Sequence, residues 1–174
     1  MSVEKWDIFN SNGVRTGKTA TRGGTVLKSG EYHLVVHIWV ISSGGKFLLQ
    51  KRAADKKLMP GEWAATGGAA ISGESSFQAA QRELKEELGI DTDRNSLIKL
   101  TRIRRKNSLV DVWMTFCDEK AESLHLQKSE VAEVRWVSKS EFEGMIANGD
   151  YHNYGEEYFD RVFEKIDDYR GAFI

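Results

Sequence analysis

Apolar residues recur along the first third of the chain with the spacing of β-strands. Residues 32–41 are rich in β-branched and aromatic types, and the turn signal at 42–45 separates them from a returning strand at 46–51. Two earlier segments, 6–9 and 14–19, flank an Asn-Gly turn. We therefore predict an N-terminal hairpin followed by two neighbouring strands.

The pattern changes to that of a helix over residues 75–88. This stretch contains no glycine or proline, consists mainly of good helix formers, and precedes Gly89, a residue type that commonly ends helices. Phe77, Leu84 and Leu88 fall on one face at about 100° per residue, which predicts that this face is buried.

The second half of the chain alternates strands and helices. Strands are predicted at 97–106, 109–117 and 134–137. Capping residues from Ser138 onward predict a helix through about residue 147, and a last helix is predicted at 156–169. Elements mixed in this order indicate an α/β fold with a mixed β-sheet.

Composition limits the class of protein. The chain has 174 residues, 40% of them hydrophobic, and a single proline with no linker-like segment, so one domain over residues 1–174 is expected. The formal net charge is −1, which argues against binding a nucleic acid polymer through bulk positive charge. The lone Cys117, the absence of a signal-peptide core and the short apolar runs favour a cytoplasmic protein without a membrane segment.

Three glutamates of the central helix suggest its chemistry. Glu83, Glu86 and Glu87 are spaced i, i+3 and i+4, so their carboxylates share one helix face. Like charges packed this way repel, and a hard cation such as Mg²⁺ or Mn²⁺ would relieve the repulsion. Gly67 and Gly68 are expected to bend the backbone sharply and to offer a carbonyl to that ion. A solvated helix face is the alternative.

The residues around these glutamates resemble a known motif. Gly68, five residues, Glu74, seven residues and then the run from Arg82 to Ile90 are similar to the Nudix box, here residues 68–90. The resemblance implies an α/β/α sandwich and an Mg²⁺-dependent hydrolase that cleaves the diphosphate link of a nucleoside-diphosphate-type small molecule by water attack on phosphorus. It also implies that the protein forms a homodimer, since members of this family often form dimers.

The resemblance also implies residue roles. Glutamates matching Glu83, Glu86 and Glu87 hold the catalytic metal, with the Gly67 carbonyl as a further ligand, and the one matching Glu83 is a candidate general base. Glu87 is counted with Glu83 among the catalytic acids. Arg82 and Glu74 are expected to form a supporting ion pair that orients the helix and loop.

Outside the box, the chain resembles the isopentenyl-diphosphate isomerase branch of the superfamily. Basic residues matching Arg52 and Lys56 contact the substrate diphosphate in that branch, and His33 matches one of its metal ligands. The isomerase cysteine is missing, because Gly67 stands at its position, and Cys117 is expected to be a small buried side chain. Asp111 is considered as the isomerase's second acid. Hydrolysis is therefore favoured over isomerisation.

Three further groups are weighed. Glu130, rather than Glu133, is the candidate for an extra acid in the loop before the last strand. The basic residues Arg102, Arg104 and Lys106 are expected to face solvent at a sheet edge, or else substrate phosphates. The aromatic residues near the C-terminus are expected to dock the last helix, or else to line a base pocket; they are Tyr151, His152, Tyr154, Tyr158 and Phe159.

Three functions therefore compete. They are a nucleoside-diphosphate-type pyrophosphohydrolase, a diphosphate isomerase, and a Nudix-type module that senses a nucleotide without turnover. The complete set of box glutamates favours the first.

Overall fold

The computed structural model describes residues 4–171. Within them the strands are β1 (Lys5–Phe9), β2 (Arg15–Thr21), β3 (His33–Ile41), β4 (Phe47–Arg52), β5 (Trp63–Ala64), β6 (Thr66–Ala69), β7 (Ile98–Arg104), β8 (Ser108–Phe116) and β9 (Val131–Val137). The α-helices are α1 (Ser76–Leu88), α2 (Lys139–Asn148) and α3 (Glu156–Gly171), and a 3-10 turn covers Ala121–Ser123. No helix of this part of the chain combines the length and apolar character needed to cross a bilayer.

The main sheet is mixed, as predicted. Its central path runs β5-β4-β3-β8-β7, while β6 pairs with β3 and β9 pairs with β4. The β3–β8 pair is parallel, and the other pairs are antiparallel. Strand β3 pairs with β4 only at Val40 and Ile41, and its preceding residues pair with β6 instead. The divergence of β3 from β4 leaves room for the cleft described below.

Alternation along β3 assigns the two faces of the sheet. Val36 and Ile38 face α1, whereas Trp39 and Ile41 belong to the cluster formed with α2 and α3. All four side chains are buried, with at most 1% of their surface exposed. Helices therefore cover both faces of the sheet, and the α/β/α sandwich expected from the sequence is confirmed.

The helix that carries the box glutamates is capped at both ends. Ser75 accepts a hydrogen bond from the Gln78 amide, while the Gln78 side chain accepts one from the Ser75 amide, which forms a capping box. Gly89 adopts the left-handed conformation at φ 73° and ends the helix. These caps fix the start and the rotation of α1, and thereby the face on which its glutamates project.

The N-terminal hairpin forms, with its second strand shifted along the chain. The Asn10 side chain accepts hydrogen bonds from the amides of Asn12 and Val14, so the turn includes Val14 and β2 begins at Arg15 rather than at residue 14. The hairpin is a separate two-stranded sheet that joins β3 through the Phe9–Tyr32 bridge.

The prediction of a sharp backbone bend at Gly67 and Gly68 is wrong. Both residues lie in β6 and pair with β3, and neither has a positive φ. Glycine is needed for close approach instead, because an added Cβ at Gly67 would lie 2.1 Å from the Val36 carbonyl oxygen. The left-handed turn of this segment occurs at Gly73, where φ is 94°.

Candidate active site

A cleft of about 370 Å³ lies beside the acidic face of α1. Box residues form one wall, with Glu83, Glu86 and Glu87 all among its lining residues. Arg52 and Glu130 line it as well. The cleft thus brings together most of the side chains that the sequence singled out, from segments that are distant along the chain.

Glu87 lies deepest in this wall. Its side chain is 3% exposed, and Oε2 accepts hydrogen bonds from Gln50 Nε2 at 2.9 Å and from the Gly67 amide at 3.3 Å. Within residues 4–171 no lysine or arginine forms an ion pair with it. Burial, and then the charge of Glu83, raise the pKa of Glu87 to about 8. This carboxylate is therefore buried without a neutralising cation.

Glu83 lies beside Gly68. It is 9% exposed, and burial raises the pKa of its carboxyl despite the nearby Arg82, with the charges of Glu86 and Glu130 adding to the rise. An added Cβ at Gly68 would lie 2.3 Å from Glu83 Oε1, so only a glycine leaves room for this carboxylate. Glu83 can therefore occupy this position because β6 has no side chain at Gly68.

Arg82 links the loop and the helix of the box. Its guanidinium donates to Glu74 from Nε at 2.8 Å and from Nη2 at 3.1 Å, and it also donates to the Ala69 carbonyl at 3.1 Å. The remaining Nη1 donates to Glu83 at 2.9 Å and to Glu86 at 3.1 Å. The ion pair expected between Arg82 and Glu74 is present, and the same arginine also neutralises part of the acidic face.

The acidic face of α1, formed by Glu83, Glu86 and Glu87, is the predicted cation site. Within residues 4–171 no group of three or more His, Cys, Asp or Glu side chains is arranged so that it could hold a metal ion. The Arg82 guanidinium instead pairs with both Glu83 and Glu86 as a counter-charge. The donor chemistry nevertheless fits a hard divalent cation, since all donors are carboxylate oxygens and Glu87 is buried with no cation of its own. The Gly67 carbonyl remains a predicted ligand.

Of the two predicted phosphate ligands, Arg52 lines the cleft and Lys56 does not. Arg52 ends β4 and lines the cleft, and its Nε donates to the Leu58 carbonyl at 3.0 Å. Lys56, in the following loop, donates from Nζ to Glu130 Oε1 at 2.6 Å. A backbone bond from the Ala53 amide to the Glu130 carbonyl at 2.9 Å joins the same two segments. Glu133 is exposed on β9 and does not line the cleft.

The C-terminal aromatic residues divide into two groups. Tyr151, Tyr158 and Phe159 are buried in the core that docks α3, which confirms the packing interpretation for them. Tyr154 lines the cleft beside His37. Burial, with the charges of Arg105 and His152, lowers the pKa of His37 to about 3. The end of the cleft at Tyr154 is therefore aromatic and carries a neutral imidazole.

The acid considered for isomerase chemistry lies elsewhere. Asp111 is fully buried and bound by Lys99 and Arg102, and it does not line the cleft. Arg104 and Lys106 are exposed on or just after the edge strand β7, as the solvent interpretation predicts, whereas the partly exposed Arg102 pairs with the buried Asp111.

Two further residues matched to isomerases have other environments. His33 lines the cleft, but its Nδ1 is hydrogen-bonded to the Asn107 carbonyl at 2.9 Å and its ring is stacked against Trp6, as expected of a packed strand histidine. Cys117 follows β8, packs against the cluster on the α1 face and is absent from the cleft lining.

Three residues in or beside the cleft were missed from the sequence: Trp6 and Arg22 line it, and Gln50 lies outside the lining and bonds Glu87. Gln50 is 1% exposed and bonds both Glu87 and Thr66. A glutamine within an otherwise apolar buried run is a signal that could have identified it. Trp6 and Arg22 come from the hairpin region, and no local pattern there indicates a role in the cleft.

Comparison with known proteins gives consistent results. The family model described as NUDIX domain matches residues 31–156. An uncharacterized Nudix hydrolase of Listeria monocytogenes is 39% identical over 153 residues, which cover 87% of this chain and 90% of the relative. A crystal structure from Deinococcus radiodurans has a TM-score of 0.78 at 23% identity, covering 92% and 99% of the two chains. The NUDIX domain of Shewanella oneidensis NrtR, complexed with ADP ribose, has a TM-score of 0.62 at 17% identity, covering 80% and 90%.

Proposed function

The chain belongs to the Nudix hydrolase family, and on that premise we propose that it cleaves the diphosphate link of a nucleoside-diphosphate-type substrate with Mg²⁺ or Mn²⁺. The observation that carries the proposal is the pair of buried carboxylates, Glu83 and Glu87, on the wall of a cleft of about 370 Å³. Two buried acids with raised pKa values, of which only Glu83 is paired with an arginine among the described residues, are an unfavourable arrangement unless a cation or a proton relieves it.

The cation would be held by the acidic face of α1. We assign Glu83, Glu86 and Glu87 as ligands, together with the Gly67 carbonyl. When bound, Mg²⁺ or Mn²⁺ supplies Lewis acidity that neutralises diphosphate oxygens. Arg82 and Glu74 hold the helix and the loop in register, because the guanidinium bonds both segments.

Arg52 and Lys56 are assigned to the substrate phosphates. Lys56 is bonded to Glu130, so a diphosphate that attracts its ammonium group frees Glu130 Oε1. The freed carboxylate would accept a proton from the attacking water while the water oxygen bonds to phosphorus and the bridging P–O bond breaks. Proton transfer is therefore coupled to the arrival of substrate.

A nucleotide is the substrate class that the comparisons favour. The NUDIX domain of Shewanella NrtR was crystallised with ADP ribose, and its fold is shared with this chain. The cleft is lined by the aromatic side chains Trp6 and Tyr154 as well as by the box carboxylates, so it can receive a ring system and a charged diphosphate together.

The test is a set of glutamine variants assayed on nucleoside di- and triphosphates, nucleotide sugars, dinucleoside polyphosphates, coenzyme A and ADP ribose, with products identified by mass. We expect Mg²⁺-dependent cleavage by the wild type and its loss in Glu86→Gln and Glu87→Gln, with folding retained. Glu133→Gln is the matched control, because this acid is exposed outside the cleft. Unchanged turnover in both cleft variants would refute the metal assignment.

The competing functions are separated in the same experiment. Isopentenyl diphosphate is included, and its conversion to the dimethylallyl isomer would favour isomerisation over hydrolysis. Gly67 stands where that chemistry needs a thiol, and Cys117 is outside the cleft, so we expect no conversion. Tight metal-dependent binding of one nucleotide without any cleavage would favour the sensing function.

A further inference from the structure

The N-terminal hairpin contributes to the cleft although it lies outside the matched family segment. The family model begins at residue 31, whereas the hairpin strands end at Thr21. Trp6, from the first strand, and Arg22, directly after the second, nevertheless line the cleft. This part of the cleft wall therefore lies outside the segment that the family model matches.

The Trp6 ring is supported by a stacked neighbouring ring and by a hydrogen bond. Its indole stacks on the His33 imidazole with ring centroids 4.3 Å apart and planes inclined by 14°. Its Nε1 donates to Glu4 Oε1 at 3.1 Å, and Arg22 donates to the other oxygen of that carboxylate at 2.9 Å. Among the described residues no other ring stacks on the indole, and the side chain remains partly exposed. One face is thus supported by His33, and part of the side chain lines the cleft.

The position of Trp6 relative to the box is fixed by its neighbour in sequence. Asp7 accepts hydrogen bonds from the Ser72 hydroxyl at 2.6 Å and from the Gly73 amide at 2.9 Å. The Lys5 carbonyl accepts another from the Ser72 amide at 2.8 Å. Residues on both sides of Trp6 are therefore bonded to the loop that leads into α1. A group stacked on the indole would be held in a constant relation to the box glutamates.

The cleft also has apolar lining residues, which favour a flat, uncharged ring system within it. Ile71 lines the cleft with 37% of its surface exposed, and Val35 lies in the same lining. Exposed aliphatic and aromatic surface beside a charged site is typical of ligand-binding clefts, in which the apolar part of the ligand covers it. A nucleobase has the required flat face, and stacking on an indole tolerates any of the bases.

We propose that Trp6, backed by His33, is the stacking platform for the base of the nucleotide whose diphosphate lies at the box. The inference rests on the proposed function for the location of the diphosphate. It adds a specificity-determining residue from a segment outside the matched domain, and it predicts that truncating the indole weakens recognition of the base and leaves recognition of the phosphates intact.

The experiment measures binding rather than turnover. Calorimetric titrations in Mg²⁺ compare α,β-methylene-ADP, a non-cleavable nucleotide, with methylenediphosphonate, which has the same bridged phosphates and no base. For Trp6→Ala we expect the affinity for the nucleotide to fall about tenfold, within the range measured for base–aromatic stacking, and that for the base-free probe to change less than about twofold. Trp6→Phe should recover most of the loss.

The outcomes separate this inference from the proposed function. Equal weakening of both probes by Trp6→Ala, or no weakening of the nucleotide, would overturn the inference even if the wild type hydrolyses nucleotides. Absence of cleavage by the wild type would overturn the proposed function, while the binding comparison would still decide the role of Trp6. If Trp6→Ala does not fold, Trp6→Leu provides an apolar, non-aromatic replacement, and the same comparison applies to it.

Discussion

The two adjacent glycines of β6 provide a sharp test of how the cleft is built. An alanine Cβ at position 68 would lie 2.3 Å from Glu83 Oε1, 2.6 Å from its Cδ and 2.9 Å from Oε2. An alanine Cβ at position 67 would instead lie 2.1 Å from the backbone oxygen of Val36. The same methyl group therefore meets a movable carboxylate in one case and a central strand in the other.

The size of each effect follows from these distances. An ordinary contact of about 3.5 Å requires the Glu83 carboxylate to retreat by about 1 Å in Gly68→Ala. A misplacement of that size costs about 100-fold in rate, whereas rotation of a side chain leaves the fold intact. In Gly67→Ala the β3 backbone must shift by a similar distance, which we expect to cost ~3 kcal/mol and to lower the melting temperature by roughly 10 °C.

The assays are steady-state hydrolysis and thermal unfolding of both variants beside the wild type. We expect Gly68→Ala to melt within about 3 °C of the wild type and to lose about 100-fold in kcat. Gly67→Ala is the matched control, with the same substitution one residue earlier and the opposite balance of effects. Full activity in Gly68→Ala would show that the position of Glu83 is not critical, and equal destabilisation of both variants would refute the distinction between side-chain and backbone contacts.

Three further outcomes are expected. Burial raises the pKa of Glu87 to about 8, so between pH ~4.5 and 8 the unfolded chain loses this proton while the folded protein keeps it, and stability falls as the pH rises. Glu87→Gln in chelator should therefore be more stable than the wild type at pH 7 by ~2 kcal/mol in denaturant titrations, with the difference vanishing near pH 4. Burial favours the neutral form of Asp111, but hydrogen bonds from Arg102 and Lys99 outweigh burial and hold the pKa of Asp111 below its usual range. The free energy of unfolding should therefore fall as the pH drops through the lowered pKa. Asp111→Asn should lower the free energy of unfolding by ~2 kcal/mol at pH 7 and should flatten the acid transition. Lys56→Met should raise KM about tenfold by removing a phosphate contact, and equal KM values would contradict the assignment of Lys56.

The elements of the fold could largely be predicted from local sequence. The β-branched and aromatic run of β3, the helix formers of α1 and the glycine at its end are local signals, and both elements begin within one residue of their expected positions, whereas β5 and β6 had no predicted counterpart. The exception at Gly67 and Gly68 has a physical reason. Glycine serves both bends and close approaches, and only the neighbouring β3 strand and the Glu83 carboxylate distinguish between them.

Predicting the site was harder, because its contacts join distant segments. Helical spacing brought the three glutamates to one face, but it could not reveal that Arg82 also bonds two of them. Lys56 and Glu130 were singled out separately as a phosphate ligand and an acid, and their mutual ion pair depends on a loop and a strand start 74 residues apart. Trp6 enters the cleft through tertiary bonds of Asp7, which no local pattern encodes.

The guanidinium of Arg82 would make uptake of the proposed cation an exchange reaction. A divalent cation bound by Glu83 and Glu86 would replace hydrogen bonds that already neutralise them, so its binding free energy would be the difference between two ionic arrangements. Such a site should release its ion readily to chelators and refill without refolding, and its occupancy should follow the concentration of the free cation. Arg82 would then neutralise Glu83 and Glu86 whenever no cation is bound.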